Sequence, residues 1–391
     1  MANDGEYPDP PADVPSVSPA TLKRRLDRGE SVRLLDVRDR DEIEEWRISG
    51  PSVTRTDIPY AKFMQAKVRD TVTDLAGDVD GDGPITVVCG RGEASAFVAG
   101  LLAERGVDAQ NLAGGMDKWA RVYDAHGIAT DGPTVVQYQR PSSGCLSYMI
   151  QDGGKALVVD PLAAFTDRYV TDAAERGIDI EAVFDTHVHA DHISGLRALS
   201  DETGARALVS EGARARGITY DVETVADGER VAVGDAAVDV VGLPGHTTGM
   251  AGLAVGNVLI SGDSLFLDAV ARQDLQEGGD IEAMARDLYE TVTERVGRFR
   301  DETILAPGHV DDRSTVAADG TYTAPLGEVR ERVGVFAESE AEFVARMTGE
   351  LPPQPANAER IVGINLGVET ADDQEAFELE LGPNNCAASA D

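Results

Sequence analysis

Thr186-His187-Val188-His189-Ala190-Asp191-His192 gathers three of the chain's six histidines and a carboxylate into one short run. The run follows an apolar strand pattern, Ala182 to Asp185. Side chains two apart at a strand end share a side, so His187 and His189 can face one point. Asp191 and His192 then fall in the turn into the next helix. Three further residues of the same kind lie downstream in a like setting. These are His246 in Leu243-Pro244-Gly245-His246-Thr247, Asp263 in Ile260-Ser261-Gly262-Asp263, and His309 in Ala306-Pro307-Gly308-His309. Each follows an apolar strand and stands beside a glycine that lets the backbone turn tightly. A lone histidine is ordinarily a solvated or a satisfied core residue. Five of six gathered at strand ends point instead to a metal. Imidazole with carboxylate suits Zn(II) or Fe(II), whereas thiolate-selective metals would ask for cysteine.

Around these turns the strand density is high. Candidates are 155–160, 182–185, 231–233, 237–241, 250–255, 258–260 and 303–306, with helical stretches near 192–200, 280–299 and 338–347. That mixture predicts a two-sheet core covered by helices. The N-terminal part reads differently. Ser18-Pro19 opens a helix, with serine at the cap and proline in the first turn. Apolar strands at 32–37 and 85–88 alternate with helices, one carrying Ala94, Phe97, Leu101 and Leu102 on one face. Alternation of this kind predicts a parallel α/β sheet. The expected organisation is a disordered acidic tail over 1–16, a first domain over 17–128, a linker over 129–133, a second domain over 134–380, and a frayed end over 381–391. His126 is then expected to be solvated near the linker.

The second strand of the first domain ends at Cys89 in Cys89-Gly90-Arg91-Gly92-Glu93-Ala94-Ser95, where a helix begins. A thiolate there would meet backbone N–H groups and the positive end of the helix dipole. A sulfur-bearing anion would be cradled in the same way. Cys145 is expected to be a core residue and Cys386 an incidental one. Three cysteines without a C-x-x-C pair exclude a disulfide framework and a cysteine-rich zinc site.

Composition sets the remaining bounds. The chain has 391 residues, 70 Asp and Glu against 35 Lys and Arg, and a net charge of −35. Such a surface repels phosphate backbones and anionic lipid, so neither nucleic acid nor membrane is an expected partner. The acidic, proline-rich start lacks the basic and apolar segments of a signal peptide, which predicts a cytoplasmic protein. Lysine occurs only at positions 23, 62, 67, 118 and 155. Acid-rich, lysine-poor composition is similar to that of proteins from salt-accumulating halophiles.

The H-x-H-x-D-H run, the later G-H-T, the G-D and the P-G-H resemble the metallo-β-lactamase superfamily over about residues 134 to 365. That resemblance implies an αββα sandwich with metal between the sheets at one edge. Two branches compete. In the persulfide dioxygenases one Fe(II) per chain would sit on His187, His246 and Asp263. His189, Asp191, His192 and His309 are then candidates for a second site or supporting roles. In the hydroxyacylglutathione hydrolases two Zn(II) per chain would use all seven, with Asp263 bridging. The text from Thr186 to Gly195, from Arg272 to Asp280, and at Asn365-Leu366-Gly367 is similar to the dioxygenase form. Asp268-Ala269-Val270-Ala271 departs from it, where a Gly/Cys-rich segment is usual. Arg272 is expected to recognise an anionic thiol carrier beside the metal, with an ordinary salt bridge as its alternative.

Leu34-Leu35-Asp36-Val37-Arg38, the Cys89 loop and Leu112-x-Gly114-Gly115-Met116-x-x-Trp119 look like a rhodanese domain. This implies a sulfurtransferase in which Cys89 carries sulfane sulfur and Arg91, Gly92 and Ser95 help bind the substrate. Trp46 to Ser52 departs from the family's usual segment, and Glu93 would oppose an anionic donor. The combined expectation is a metal-dependent sulfur enzyme. Its partners would be a small-molecule thiol persulfide, O2, and thiosulfate or sulfite, with a second copy of the chain as a further candidate.

Overall fold

The structure, a computed structural model, describes residues 7–388 apart from 80, 277, 312, 350, 352, 383 and 384. The first six residues of the expected tail, the last three of the expected frayed end, Glu277 and Pro352 thus lie outside the described residues. The chain divides into two compact units. One comprises residues 1–122 with 140–142, the other 123–139 with 143–391. No helix among the described residues is long and apolar enough to cross a membrane.

The first unit is built on β1 (Ser16–Val17), β2 (Val32–Asp36), β3 (Val53–Asp57), β4 (Ile85–Val88) and β5 (Ala109–Leu112). They form a parallel sheet in the order β1-β5-β4-β2-β3. β4 is buried along its whole length and β2 buries Val32, Leu34 and Leu35, the pattern of a parallel sheet covered on both faces. The helix Pro19–Asp27 starts as its sequence requires, with the Thr21 amide donating to Ser18 Oγ. Just past β2, the buried Arg38 guanidinium donates to both oxygens of Asp36 at 2.7–3.2 Å and to the Trp46 carbonyl. The Asp-x-Arg spacing is therefore a two-residue ion pair that fixes the chain leaving the sheet.

The N-terminal stretch departs from expectation. From residue 7 onward it lies along this unit. The Tyr7 ring meets Tyr60 at 5.5 Å, Val14 packs on the core, and the Pro15 carbonyl accepts from the Asn111 amide. Its apolar residues and backbone find partners, which outweighs its acidic composition.

The second unit holds two sheets. The first comprises β6 (Asp124–Ile128), β7 (Thr134–Arg140), β8 (Cys145–Asp152), β9 (Lys155–Val159), β10 (Asp179–Asp185), β11 (Arg206–Ser210) and β12 (Glu223–Val225), in the order β12-β11-β10-β9-β8-β7-β6. The second comprises β13 (Arg230–Val233), β14 (Ala236–Gly242), β15 (Ala251–Val255), β16 (Val258–Gly262), β17 (Ile304–Pro307) and β18 (Ala324–Pro325), neighbours in sequence order. Leu146, Tyr148, Leu157 and Phe184 of one sheet interlock with Val238, Val240, Leu253 and Ile260 of the other. On the outer faces, Tyr169, Leu196 and Leu199 cover the first sheet, and Leu288, Val292 and Val329 the second. This is an αββα sandwich, as the motif resemblance implied.

Two stretches differ from the expected organisation. Residues 124–128, His126 among them, form an edge strand paired antiparallel with β7 and so belong to the second unit. Near the C-terminus, the Arg272 amide donates to the Cys386 carbonyl and the Ala388 amide to the Val270 carbonyl. Cys386 is buried. The end of the chain is held by main-chain bonds, which side-chain composition does not announce.

Candidate metal centre

The histidine run occupies the turn after β10. Thr186 is held there by Asp160, whose carboxylate accepts from the Thr186 amide at 2.7 Å and from its hydroxyl at 2.9 Å. The Thr186 oxygen in turn lies 3.0 Å from His187 Nδ1. With the threonine proton given to Asp160, that nitrogen is the donor, leaving His187 Nε2 as a ligand atom. Asn365 fixes the rest of the run. Its amide nitrogen donates to the His189 and His192 carbonyls at 3.0 and 2.9 Å, and its oxygen accepts from the Ser194 amide. Glu380 accepts from the Ile193 amide at 2.8 Å.

His246 stands in the turn after β14, its Nδ1 bonded to the Arg272 carbonyl at 2.6 Å. Such an orienting bond directs the other nitrogen towards a metal. Asp263 follows β16 and His309 follows β17. At Gly308 a Cβ would collide with Asp263 Oδ1, so the Pro-Gly-His turn needs its glycine.

These turns bring two sets of donors together. His187, His246 and Asp263 offer ligand atoms within 4.8 Å of one another, and all three are buried. Asp263 Oδ2 lies 4.0 Å from His187 Nε2 and 3.9 Å from His246 Nε2. His187 Nε2 and Asp263 Oδ2 are buried with no hydrogen-bond partner. Orphaned buried atoms of this kind are rare unless an ion satisfies them, and two imidazoles with one carboxylate fit Fe(II) or Zn(II). The second set is Cys145, Asp191, His192 and His309. His309 joins the two, with Nδ1 2.6 Å from Asp263 Oδ1 and Nε2 2.7 Å from Asp191 Oδ2. His189 belongs to neither. Its Nε2 meets Asp160 Oδ1 at 3.1 Å, in a group with Asp160 and Asp185.

The electrostatics follow the geometry. Burial, with His189 and His246 adjacent, holds His187 well below the ordinary imidazole range. Burial likewise lowers His246. At His309 burial acts the same way, but Asp191 and Asp263 outweigh it and raise the group well above that range. Burial and Asp191 push the Cys145 thiol up, yet His309 and His192 bring it below its usual value. Burial, reinforced by Asp191 and Asp263, drives Cys386 well above its own.

The remaining expected residues are placed as follows. Arg272 is buried. Its guanidinium donates to Asp274 at 2.6 and 2.8 Å and to the carbonyls of Pro353 and Asn385. It is thus held in internal pairs, nearer the salt bridge than the anion site, while its main chain orients His246. Cys145 lies in the second donor set and Cys386 within ligand distance of Asp263 and His309. The sequence signalled neither, because each comes to the cluster from a strand or segment remote in the chain.

In the first unit, Cys89 Sγ receives the Gly92 and Ser95 amides at 3.1 and 3.3 Å and lies 3.1 Å from Ser95 Oγ. Asn111 accepts from that hydroxyl at 2.7 Å. Gly92 has φ 98°, a left-handed turn open to glycine. The helix Glu93–Ala103 begins immediately after. Arg91 is largely exposed, 3.9 Å from Asp117.

Comparison with known proteins agrees with both halves. Residues 141–309 match the metallo-beta-lactamase superfamily and residues 18–122 the rhodanese-like domain. The chain is 27% identical to a mitochondrial persulfide dioxygenase, ETHE1, of Homo sapiens, over 60% of this chain and 89% of that protein. It is 32% identical to a hydroxyacylglutathione hydrolase of Polaromonas sp., over 40% of this chain and 57% of that one. The crystal structure of ETHE1 from Myxococcus xanthus superposes with a TM-score of 0.53 and 29% identity, covering 59% of this chain and 97% of that chain. The chain therefore joins a rhodanese-like domain to a domain of the metallo-beta-lactamase superfamily, with persulfide dioxygenases among its homologues.

Proposed function

We propose that the second unit oxidises a low-molecular-weight thiol persulfide with O2, and that the first unit moves sulfane sulfur through Cys89. Persulfide, O2 and water would give thiol, sulfite and two protons. One Fe(II) per chain would be held by His187, His246 and Asp263. The observation that carries this reading is the division of donors. Three ligand atoms face one another, while Asp263 Oδ1, His309 and Asp191 are bonded into a separate set.

Iron held by two histidines and one carboxylate would supply the oxygen chemistry. The protein's own residues supply position and exclusion of water. Thr186 and the Arg272 carbonyl fix the two imidazole rings, and His309 holds the Asp263 carboxylate. Burial of all three donors keeps bulk water away. The alignment with a persulfide dioxygenase over nearly its whole length supports the same branch.

At Cys89 the reverse or onward step is sulfur transfer. A persulfide formed there would give its terminal sulfur to sulfite, breaking one S–S bond and leaving thiosulfate and the Cys89 thiolate. The Gly92 and Ser95 amides would stabilise that thiolate. Union in one chain raises the effective concentration of the exchanged species. A di-zinc thioester hydrolase is the second reading, favoured by seven ligand-type residues buried together.

The test is O2 consumption by the Fe(II)-loaded chain in molar KCl on adding glutathione persulfide. Rapid uptake with sulfite release is expected. No uptake, with cleavage of a lactoyl thioester by the zinc form, would establish the hydrolase instead. Cys89→Ser should abolish cyanide-dependent sulfur transfer and spare O2 uptake; loss of both overturns the division of labour.

A further inference from the structure

Asn111 stands in β5, a strand whose other buried residues, Ala109 and Leu112, are apolar. β5 lies between β1 and β4, and Asn111 is in register with Ser16 on one side and Val87 on the other. Its main-chain amide donates to the Pro15 carbonyl at 2.8 Å. The backbone is thus fixed from both sides. A buried amide side chain costs stability unless it is bonded, and asparagine is disfavoured in strands. The bond that Asn111 makes here is to the Cys89 loop. Its side-chain oxygen accepts from Ser95 Oγ at 2.7 Å. Ser95 is fully buried, and its one hydroxyl proton has three acceptors in reach: Asn111 Oδ1 at 2.7 Å, Cys89 Sγ at 3.1 Å and the Gly92 carbonyl at 3.2 Å.

We propose that Asn111 is a positioning residue for sulfur transfer, acting through the Ser95 hydroxyl, whose proton it draws away from Cys89 Sγ. The assignment deepens the proposed sulfur transfer at Cys89 and rests on it. The Gly92 and Ser95 amides stay on the sulfur, and Asn111 holds back the third donor.

The consequence differs between the two halves of the reaction. In loading, the Cys89 thiolate attacks the outer sulfur of thiosulfate. The S–S bond breaks, its electron pair leaves with sulfite, and a persulfide forms whose charge lies on the outer sulfur. In discharge, an acceptor such as cyanide attacks that outer sulfur. The bond to Sγ breaks, its electron pair returns to Sγ, and thiocyanate departs. Sγ is therefore charged only before loading and after discharge. A hydrogen bond to a thiolate makes it a weaker nucleophile and a better leaving group. By holding the hydroxyl, Asn111 favours loading over discharge.

The experiment measures each half-reaction in a single turnover of the full chain: loading by thiosulfate, and discharge of the preloaded chain to cyanide, both in alkaline buffer. Asn111→Leu matches asparagine in size and offers no acceptor. It should slow loading and quicken discharge, each about threefold. Asn111→Asp can only accept, and should slow discharge instead; it provides the check if Asn111→Leu does not fold. In a Ser95→Ala background, Asn111→Leu should change neither rate. Alkylation of Cys89 by iodoacetamide, followed by peptide mass, reads the thiol without sulfur transfer. Asn111→Leu should slow it about threefold, and only while Ser95 is present. No transfer by the unaltered chain, with that alkylation difference intact, overturns the sulfurtransferase reading alone. Both half-reactions slowed alike by both variants, or a difference that persists in Ser95→Ala, overturns the role of Asn111.

Discussion

Asn365 and Asp185 touch the histidine run without belonging to either donor set. Asn365 bonds two carbonyls of that run and the Ser194 amide just beyond it. Asn365→Ala strands these buried groups, and each unsatisfied one costs about 1–3 kcal/mol. The variant should lose roughly 2–4 kcal/mol by urea denaturation and release metal more readily to a chelator. An unchanged midpoint would show that water replaces the amide. Asp185 is pushed up to about 6 by burial, against an ordinary 3.8. Its folded value exceeds its unfolded one, so the stability it contributes is complete below 3.8 and lost as pH rises through about 6. Ser194 Oγ, 2.9 Å from Asp185 Oδ1, can still donate to an amide oxygen. In the metal-free chain, Asp185→Asn should gain about 3 kcal/mol relative to the parent between the low and neutral ends of that window. Parallel denaturation curves at every pH would contradict it.

Turns following strands carry the metal donors, and their glycines set how close those turns approach. A methyl group at Gly308 would strike the Asp263 carboxylate. Gly308→Ala should therefore displace Asp263, weaken metal retention at least tenfold in chelator competition, and leave sulfur transfer at Cys89 intact. Equal retention would show that the turn can yield. These turns were legible in the sequence because histidine beside glycine after an apolar run is a local pattern. The Cys89 loop and the Ser18 cap were legible for the same reason. What escaped depends on pairing between distant segments. Cys145 and Asp191, for instance, are 46 residues apart. The 270–272 and 386–388 pairing and the β6 edge strand rest on main-chain bonds that no side-chain pattern marks. Arg272 read as an anion receptor because its partner Asp274 stands two residues on, a spacing that does not by itself reveal burial.

Over the whole chain, a net charge of −35 opposes compactness through self-repulsion. Screening relieves this, since the Debye length falls from about 10 Å at 0.1 M salt to about 3 Å at 1 M. The melting temperature should rise markedly between dilute buffer and molar KCl, read by circular dichroism; a flat profile would mean that the acidic surface is an incidental property. The second unit has a further link to its surroundings. Its donors come from strand ends in both sheets: His187 and Cys145 from one, His246, Asp263 and His309 from the other. An ion held there clasps the open edge of the sandwich. Ligand at a thousand times its Kd adds about 4 kcal/mol to the folded state, a large share of a typical domain's 5–15 kcal/mol. Metal scarcity would then be felt as turnover: the unclasped chain opens, proteases remove it, and the amount of protein in the cell follows the supply of metal.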